Sequence, residues 1–208
     1  MSILKNIEKK TFNKIGLFFG SFNPIHMGHL IVANYIVEFS DLEEIWFVVS
    51  PQNPFKKGTL VVDAQDRFNM VKMAIKGYEK IKTTDIEFNL PRPSFTINTL
   101  NVLEKKYLNT SFCLVIGDDL VKDFPKWKDY KIILEKFPLY IYPRSRSKIN
   151  LKKSILINNQ IKQTYFLNAP LIEISSSFIR DSIKEKKNIT SLIPSTVVSY
   201  IKEKKLYQ

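Results

Sequence analysis

The chain has 208 residues, 44% hydrophobic and 25% charged, with a formal charge of +12 and one cysteine. This length suits a single domain with an ordinary buried core, and no apolar run is long enough to span a membrane. The lysine-bearing start has no apolar signal segment, and Cys113 inside an apolar run cannot form an intrachain disulfide, so a reducing cytoplasm is the expected location.

The basic surplus favours acidic partners, either nucleic acid or phosphorylated small molecules. Much of it, however, is scattered lysine, as in Lys184-Glu185-Lys186-Lys187 and Lys202-Glu203-Lys204-Lys205. Such runs usually form solvated helix faces, so charge alone does not decide function.

In chain order, Ile15 to Phe19 reads as a buried parallel strand, broken by Gly20-Ser21 and Asn23-Pro24. An apolar helical pattern starts near Met27 and continues through Leu30, Ile31, Ala33, Ile36 and Val37. His26 and His29, the chain's two histidines, therefore fall in the first turn of a helix beyond the carboxyl end of a strand. Helix starts carry unpaired N–H groups and partial positive charge, so they attract phosphate and should keep both imidazoles largely neutral. A histidine acting only as a cap is one alternative. A metal pair is another, but no nearby cysteine or third histidine completes a zinc set.

Gly20-Ser21-Phe22-Asn23-Pro24-Ile25-His26-Met27-Gly28-His29 resembles the signature of the nucleotidylyltransferase superfamily, and more narrowly that of nicotinate-nucleotide adenylyltransferases. A similar His-x-Gly-His occurs in class I aminoacyl-tRNA synthetases, so the motif alone fixes a chemistry class and not a substrate. The resemblance covers roughly residues 14 to 200. Phe19 stands where the bacterial deamido enzymes usually have Gly, and Asn23 where they usually have Asp, which leaves nicotinate versus nicotinamide preference open.

Ile45 to Ser50 is a second apolar run, and strand, helix and strand at this spacing make a right-handed βαβ unit. Pro51 to Gly58 is an irregular loop leaving the ligand-binding edge of the sheet. Lys56 on it is either a solvent lysine or a phosphate ligand, and the resemblance favours the second. Asp63 to Tyr78 reads as a helix with Phe68, Val71, Met73, Ala74 and Ile75 on its apolar side, and Ile81 to Phe88 contains a strand. After Pro91-Arg92-Pro93, Thr96 suits the N-cap of a helix running to about Tyr107. Ser94-Phe95-Thr96 with Thr99-Leu100 resembles the family segment that receives the pyridine carboxylate.

Phe112 to Ile116 reads as a central strand ending at Gly117-Asp118-Asp119. A carboxylate there commonly accepts ribose hydroxyls. The resemblance assigns that part to Asp119, with Gly117 allowing close approach, and leaves Asp118 exposed or in a turn. Trp127 is by default a core residue; the resemblance makes it a stacking partner for the nicotinate ring. Phe137 to Tyr142 is a further strand, followed by Arg144, which aligns with an arginine common in the family and is assigned to the substrate. Ile149 to Gln163 reads as a variable surface connection, and Thr164 to Leu167 as a last short strand.

Ser177 fits an N-cap, which puts Arg180 at the third helical position, where a cation suits a bound anion better than the helix field. A plain serine cap with an exposed arginine is the alternative. The segment Ile174-Ser175-Ser176-Ser177-Phe178-Ile179-Arg180 resembles the family motif holding the ATP β- and γ-phosphates. A final helix runs from about Ser195 to Lys204.

The fold implied is α/β, Rossmann-like and doubly wound, with a mainly parallel sheet, helices on both faces and one nucleotidylyltransferase domain over residues 1–208. No P-loop and no Gly-x-Gly-x-x-Gly fingerprint is present. The resemblance implies adenylyl transfer from ATP to nicotinate mononucleotide. Mg²⁺ would accompany ATP, with no metal ligands from the protein. His26, His29 and Arg180 would be catalytic. Gly20, Ser21, Phe22, Lys56, Gly117, Asp119, Ser176 and Ser177 would bind ATP, and Ser94, Phe95, Thr96, Trp127 and Arg144 would bind substrate. Related adenylyltransferases acting on nicotinamide mononucleotide, pantetheine phosphate or FMN share this chemistry, as do cytidylyltransferases. A basic RNA-binding module is the rival of another class, disfavoured because aromatic and basic residues do not interleave. No nucleic acid or membrane partner is expected, and the oligomeric state, a homo-oligomer included, stays open.

Overall fold

The computed structural model describes residues 13–52, 54, 62–144 and 163–208. Among them, six strands form one sheet: β1 (Asn13–Gly20), β2 (Glu44–Val49), β3 (Ile81–Thr84), β4 (Thr110–Gly117), β5 (Leu139–Tyr142) and β6 (Thr164–Phe166). Their order is β3-β2-β1-β4-β5-β6, and every pairing is parallel. The sheet is thus wholly parallel. Between β1 and β4 the order reverses direction, which opens a crevice at the carboxyl ends of these two strands.

The helices are α1 (Met27–Phe39), α2 (Ala64–Ala74), α3 (Thr96–Lys106), α4 (Tyr130–Lys136), α5 (Ser176–Lys184) and α6 (Ser195–Glu203). Side chains alternate along each strand, so the two sheet faces feed two cores. Phe18, Phe47 and Val115 face one core with Leu30, Val71, Ile179 and Val197 from α1, α2, α5 and α6. Leu17, Val48 and Leu114 face the other with Leu100 and Ile133 from α3 and α4. Cys113 is buried in the first core, where loss of solvation pushes its thiol up to about 12.

Several boundaries differ from the sequence reading. α2 ends at Ala74, and its buried stripe is Arg67, Met70, Val71 and Ala74, while Met73 is 36% exposed. Asp63, at the expected start, is its N-cap and accepts from the Gln65 N–H. Phe95, not Thr96, occupies the N-cap of α3, without a side-chain cap, because Thr96 already has helical geometry. Ser175, not Ser177, caps α5 by accepting the Phe178 N–H at 3.1 Å. Three consecutive serines can each cap, and only the tertiary position of the turn selects one. Arg180 consequently lies five residues beyond the cap instead of at the third position, over the first turn and a half of the helix.

Candidate active site

The loop after β1 is built from strained, buried backbone. Phe22 has φ +45° and is 3% exposed. Its ring meets Phe18, His29 and Phe47 edge-on. His26 is the N-cap of α1 and His29 its third helical residue. The His26 N–H donates to His29 Nδ1 at 3.3 Å, so an imidazole takes the place of the Glu or Gln of a capping box. An accepting Nδ1 in a neutral ring puts the proton on Nε2. The two rings stack with centroids 3.7 Å apart.

His26 is 2% exposed, and among the described residues its Nδ1 meets no hydrogen-bond partner. Burial, with the nearby Arg144 cation second, holds it neutral with a pKa of about 3. Neutrality was expected from the field of the helix start; burial is the first cause here and Arg144 the second.

Two cavities open at the carboxyl edge of the sheet. The first, of about 430 Å³, is lined by Gly20, Ser21, Phe22, His26 and His29 from the first motif, and by Ser175, Ser176, Ser177 and Arg180 from the last. Gly117, Asp119, Trp127 and Arg144 complete its wall. The start of α5 is tied to the loop after β1: the Ser176 hydroxyl donates to the Pro24 carbonyl at 2.8 Å, and Arg180 Nη1 donates to the Asn23 carbonyl at 2.8 Å. Arg180 Nη2 also donates to Ser177 Oγ at 3.0 Å. Both helix starts therefore face one cavity.

The second cavity, of about 410 Å³, is lined by Ser50, Pro54, Ser94, Phe95 and Thr96, with Asp123, Lys126 and Lys128. Phe19, Gly20, Leu120 and Trp127 line both cavities, so the two are neighbours across a shared wall. Trp127 is partly buried and stacks on Phe124 at 4.8 Å. It is thus both a core contact and a cavity wall. Lys128 Nζ sits 4.9 Å above the Phe95 ring, a cation at this cavity that the sequence reading did not single out.

At the end of β4 the two aspartates have separate parts. Asp119 is exposed at the first cavity, whereas Asp118 is 7% exposed and accepts the Arg144 N–H at 2.9 Å. Of the two expectations for Asp118, exposed or in a turn, the first fails and the second holds: it opens a 3-10 turn, this tertiary hydrogen bond draws it inward, and burial raises its pKa. A Cβ on Gly117 would overlap the Asp119 carboxylate and the Arg144 side chain, so any other residue there has to displace these two side chains. Arg144 lines the first cavity, apart from Ser94, Phe95 and Thr96. Lys56 and the connection at 149–163, save Gln163, lie outside the described residues.

Among the described residues no group of three or more His, Cys, Asp or Glu could hold a metal ion, and no helix is long and apolar enough to cross a membrane. The sequence reading also missed Glu87, which is 1% exposed behind the second cavity, with Oε1 accepting from Thr99 Oγ1 at 2.7 Å. Glu87 alternates with Ile86 and Phe88, and an acidic residue in that pattern gives no sequence signal of burial.

A wholly parallel sheet with two helix starts opposed across its switch point defines the class: a model of the cytidylyltransferase-like family matches residues 17–182. A probable nicotinate-nucleotide adenylyltransferase of Flavobacterium johnsoniae is 47% identical over 195 residues, covering 94% of this chain and 99% of the relative. One of Christiangramia forsetii is 48% identical, covering 94% and 98%. The chain belongs to the nicotinate-nucleotide adenylyltransferase family. Its fold is similar to that of Plasmodium falciparum nicotinic acid mononucleotide adenylyltransferase complexed with NaAD, with a TM-score of 0.79 and 24% identity over 94% of this chain and 97% of the other.

Proposed function

We propose that the chain transfers the adenylyl group of ATP to nicotinate mononucleotide, giving nicotinate adenine dinucleotide and pyrophosphate. The observation that carries this reading is the convergence of the His26–His29 turn and the Ser176–Arg180 turn on one cavity that adjoins a second one. The first is large enough and polar enough for a nucleoside triphosphate; the second, floored by Phe95 and Trp127, suits a flat pyridine ring. The curated relatives carry the same activity in their names.

The reaction is attack by the 5′-phosphate oxygen of nicotinate mononucleotide on the α-phosphorus of ATP. One P–O bond forms as the bond to pyrophosphate breaks, and no side chain needs to act as nucleophile. The protein's task is alignment and stabilisation of developing negative charge. In this reading His29 donates from Nε2 to an α- or β-phosphate oxygen, and His26, kept neutral, joins it. The N–H groups of Gly20 and Ser21 also face ATP phosphates. Ser176, Ser177 and Arg180 hold the leaving pyrophosphate, and Lys56 is assigned to the same phosphates. Asp119 accepts from ribose hydroxyls, with Gly117 giving the nucleotide room. Ser94, Phe95 and Thr96 receive the pyridine carboxylate at the start of α3, and Trp127 stacks on the ring. Arg144, which lines the first cavity, is positioned for a phosphate of the substrate.

Mg²⁺ fits this donor set as an ion carried on the triphosphate. Asp119 is the one carboxylate among the described residues lining the first cavity, so phosphate and water oxygens would supply most of its shell. When bound, it neutralises phosphate charge. Residues 14–200 act in this reading as one nucleotidylyltransferase domain.

The test is pyrophosphate release from ATP and Mg²⁺ with nicotinate mononucleotide, nicotinamide mononucleotide or phosphopantetheine. Release is expected to be fastest with nicotinate mononucleotide. Faster release with either alternative would reassign the substrate.

A further inference from the structure

Behind the first cavity lies a layer of buried side chains, Arg67 and Tyr207 among them, that do not themselves line it. Arg67, on the buried stripe of α2, is 1% exposed. Its guanidinium donates to four main-chain carbonyls: Nε to Val62 at 2.9 Å, Nη1 to Ser21 at 2.5 Å and Ser50 at 2.9 Å, and Nη2 to Pro51 at 3.1 Å. Among the described residues no carboxylate hydrogen-bonds to it. Burying a cation whose hydrogen bonds all go to carbonyls is costly, and burial accordingly lowers its pKa, against smaller opposing effects of Tyr207 and Asp63. A planar fork reaching several carbonyls at once is something a lysine cannot reproduce.

What this arrangement fixes is the turn after β1. A peptide unit is planar and trans, so a Ser21 carbonyl drawn towards Arg67 aims the Phe22 N–H the opposite way. Phe22 itself is left-handed, at φ +45°. A bulky residue stays there only where its surroundings over-determine it, and turns of this kind gather N–H groups into anion-binding concavities. The next residue is held from the same side. Asn23 Oδ1 accepts from the Tyr207 hydroxyl at 2.8 Å and from the Val62 N–H at 3.4 Å. The Tyr207 side chain is buried, at 6% exposure.

We propose that Arg67 and Tyr207 are positioning residues for ATP, which from outside the cavity hold the strained Ser21–Asn23 turn in the shape that offers its N–H groups to the triphosphate. This rests on reading the first cavity as the ATP site. Tyr207 is the cleaner probe, because Arg67 also fixes Ser50 at the second cavity.

The experiment compares wild type, Arg67→Lys and Tyr207→Phe by steady-state pyrophosphate release and by calorimetric titration with Mg·ATP, alongside thermal melting. Tyr207→Phe is expected to raise KM and Kd for ATP three- to tenfold, with KM for nicotinate mononucleotide within twofold of wild type. Arg67→Lys is expected to raise KM for ATP at least tenfold, and at least three times more than KM for the second substrate. A lowered Tm with both KM values at wild-type level overturns the proposal, as does an equal rise in both. Should Arg67→Lys fail to fold, Tyr207→Phe alone decides the outcome. Wild type releasing no pyrophosphate defeats the proposed reaction instead, and the Mg·ATP titrations still score the positioning role.

Discussion

Ser176 and Pro24, 152 positions apart, are joined by a 2.8 Å hydrogen bond from the serine hydroxyl to the proline carbonyl. With Arg180 bonded to the neighbouring Asn23 carbonyl, this ties the start of α5 to the loop leading into α1. The two anion-attracting turns are thereby held at a fixed spacing across one cavity. An assembled pair lowers the entropy lost when a triphosphate must be gripped from both sides.

Arg180 has two parts in this arrangement, one as a cation facing the cavity and one as a strut to Asn23. Arg180→Ala is expected to lower kcat/KM for ATP by about 100- to 1,000-fold, as for loss of a charged donor from a phosphate site. Ser176→Ala removes one neutral hydrogen bond and is expected to cost about fivefold. Steady-state pyrophosphate release at saturating nicotinate mononucleotide measures both, and equal losses in the two variants would contradict this division of labour.

His29 differs from His26 in exposure. Both line the first cavity, but His26 is 2% exposed while His29 is partly exposed. His29→Ala is therefore expected to lower kcat by about two to three orders of magnitude, with little change in melting temperature. Stopped-flow or steady-state turnover, read beside circular dichroism, checks both halves. An unchanged kcat would remove His29 from the reaction.

Much of this was readable from residue order because the signals were local. The apolar run Ile15–Phe19, the breakers Gly20 and Pro24, and the helical spacing after Met27 place β1, its loop and α1 without knowledge of the rest of the chain. The missing parts depend on tertiary contacts. Ser175, Ser176 and Ser177 are chemically equivalent caps until α5 docks against Pro24. Asp118 and Asp119 are told apart in the sequence only by the family resemblance, and the burial of Asp118 shows only once the Arg144 N–H reaches it. Arg67 did leave a trace, since it stands in register with Met70, Val71 and Ala74 on one helical stripe. A charge in such a stripe reads as an interruption of the pattern unless four carbonyls are known to await it.

Trp127 forms wall in both cavities, and the chain's other tryptophan, Trp46, lines neither and packs against Tyr107 and Phe112. Titration with nicotinate mononucleotide is expected to quench tryptophan emission, and Trp127→Phe is expected to abolish most of that change. Trp127→Ala should raise KM for nicotinate mononucleotide by about 3- to 15-fold, the worth of one aromatic stack. Quenching that persists in Trp127→Phe would place the ring elsewhere.

His26 makes stability depend on pH in a direction that can be worked out. Its pKa falls from 6.5 to about 3 in the folded state, through burial first and Arg144 second. Between these values the unfolded chain binds a proton that the folded chain refuses, so the slope of unfolding free energy against pH is positive. Stability is complete above pH 6.5 and declines as the pH falls towards 3, by about 1.4 kcal/mol per unit at most and a few kcal/mol in all. Glu87, whose pKa burial raises, works in the opposite sense, so the total curve mixes both groups. The difference between wild type and His26→Gln isolates the histidine. Urea unfolding at pH 7, 6, 5 and 4 should show the variant losing less stability than wild type at each acid step. Parallel curves would mean that His26 takes up its proton in the folded protein, and that the neutral imidazole assigned to this site is wrong.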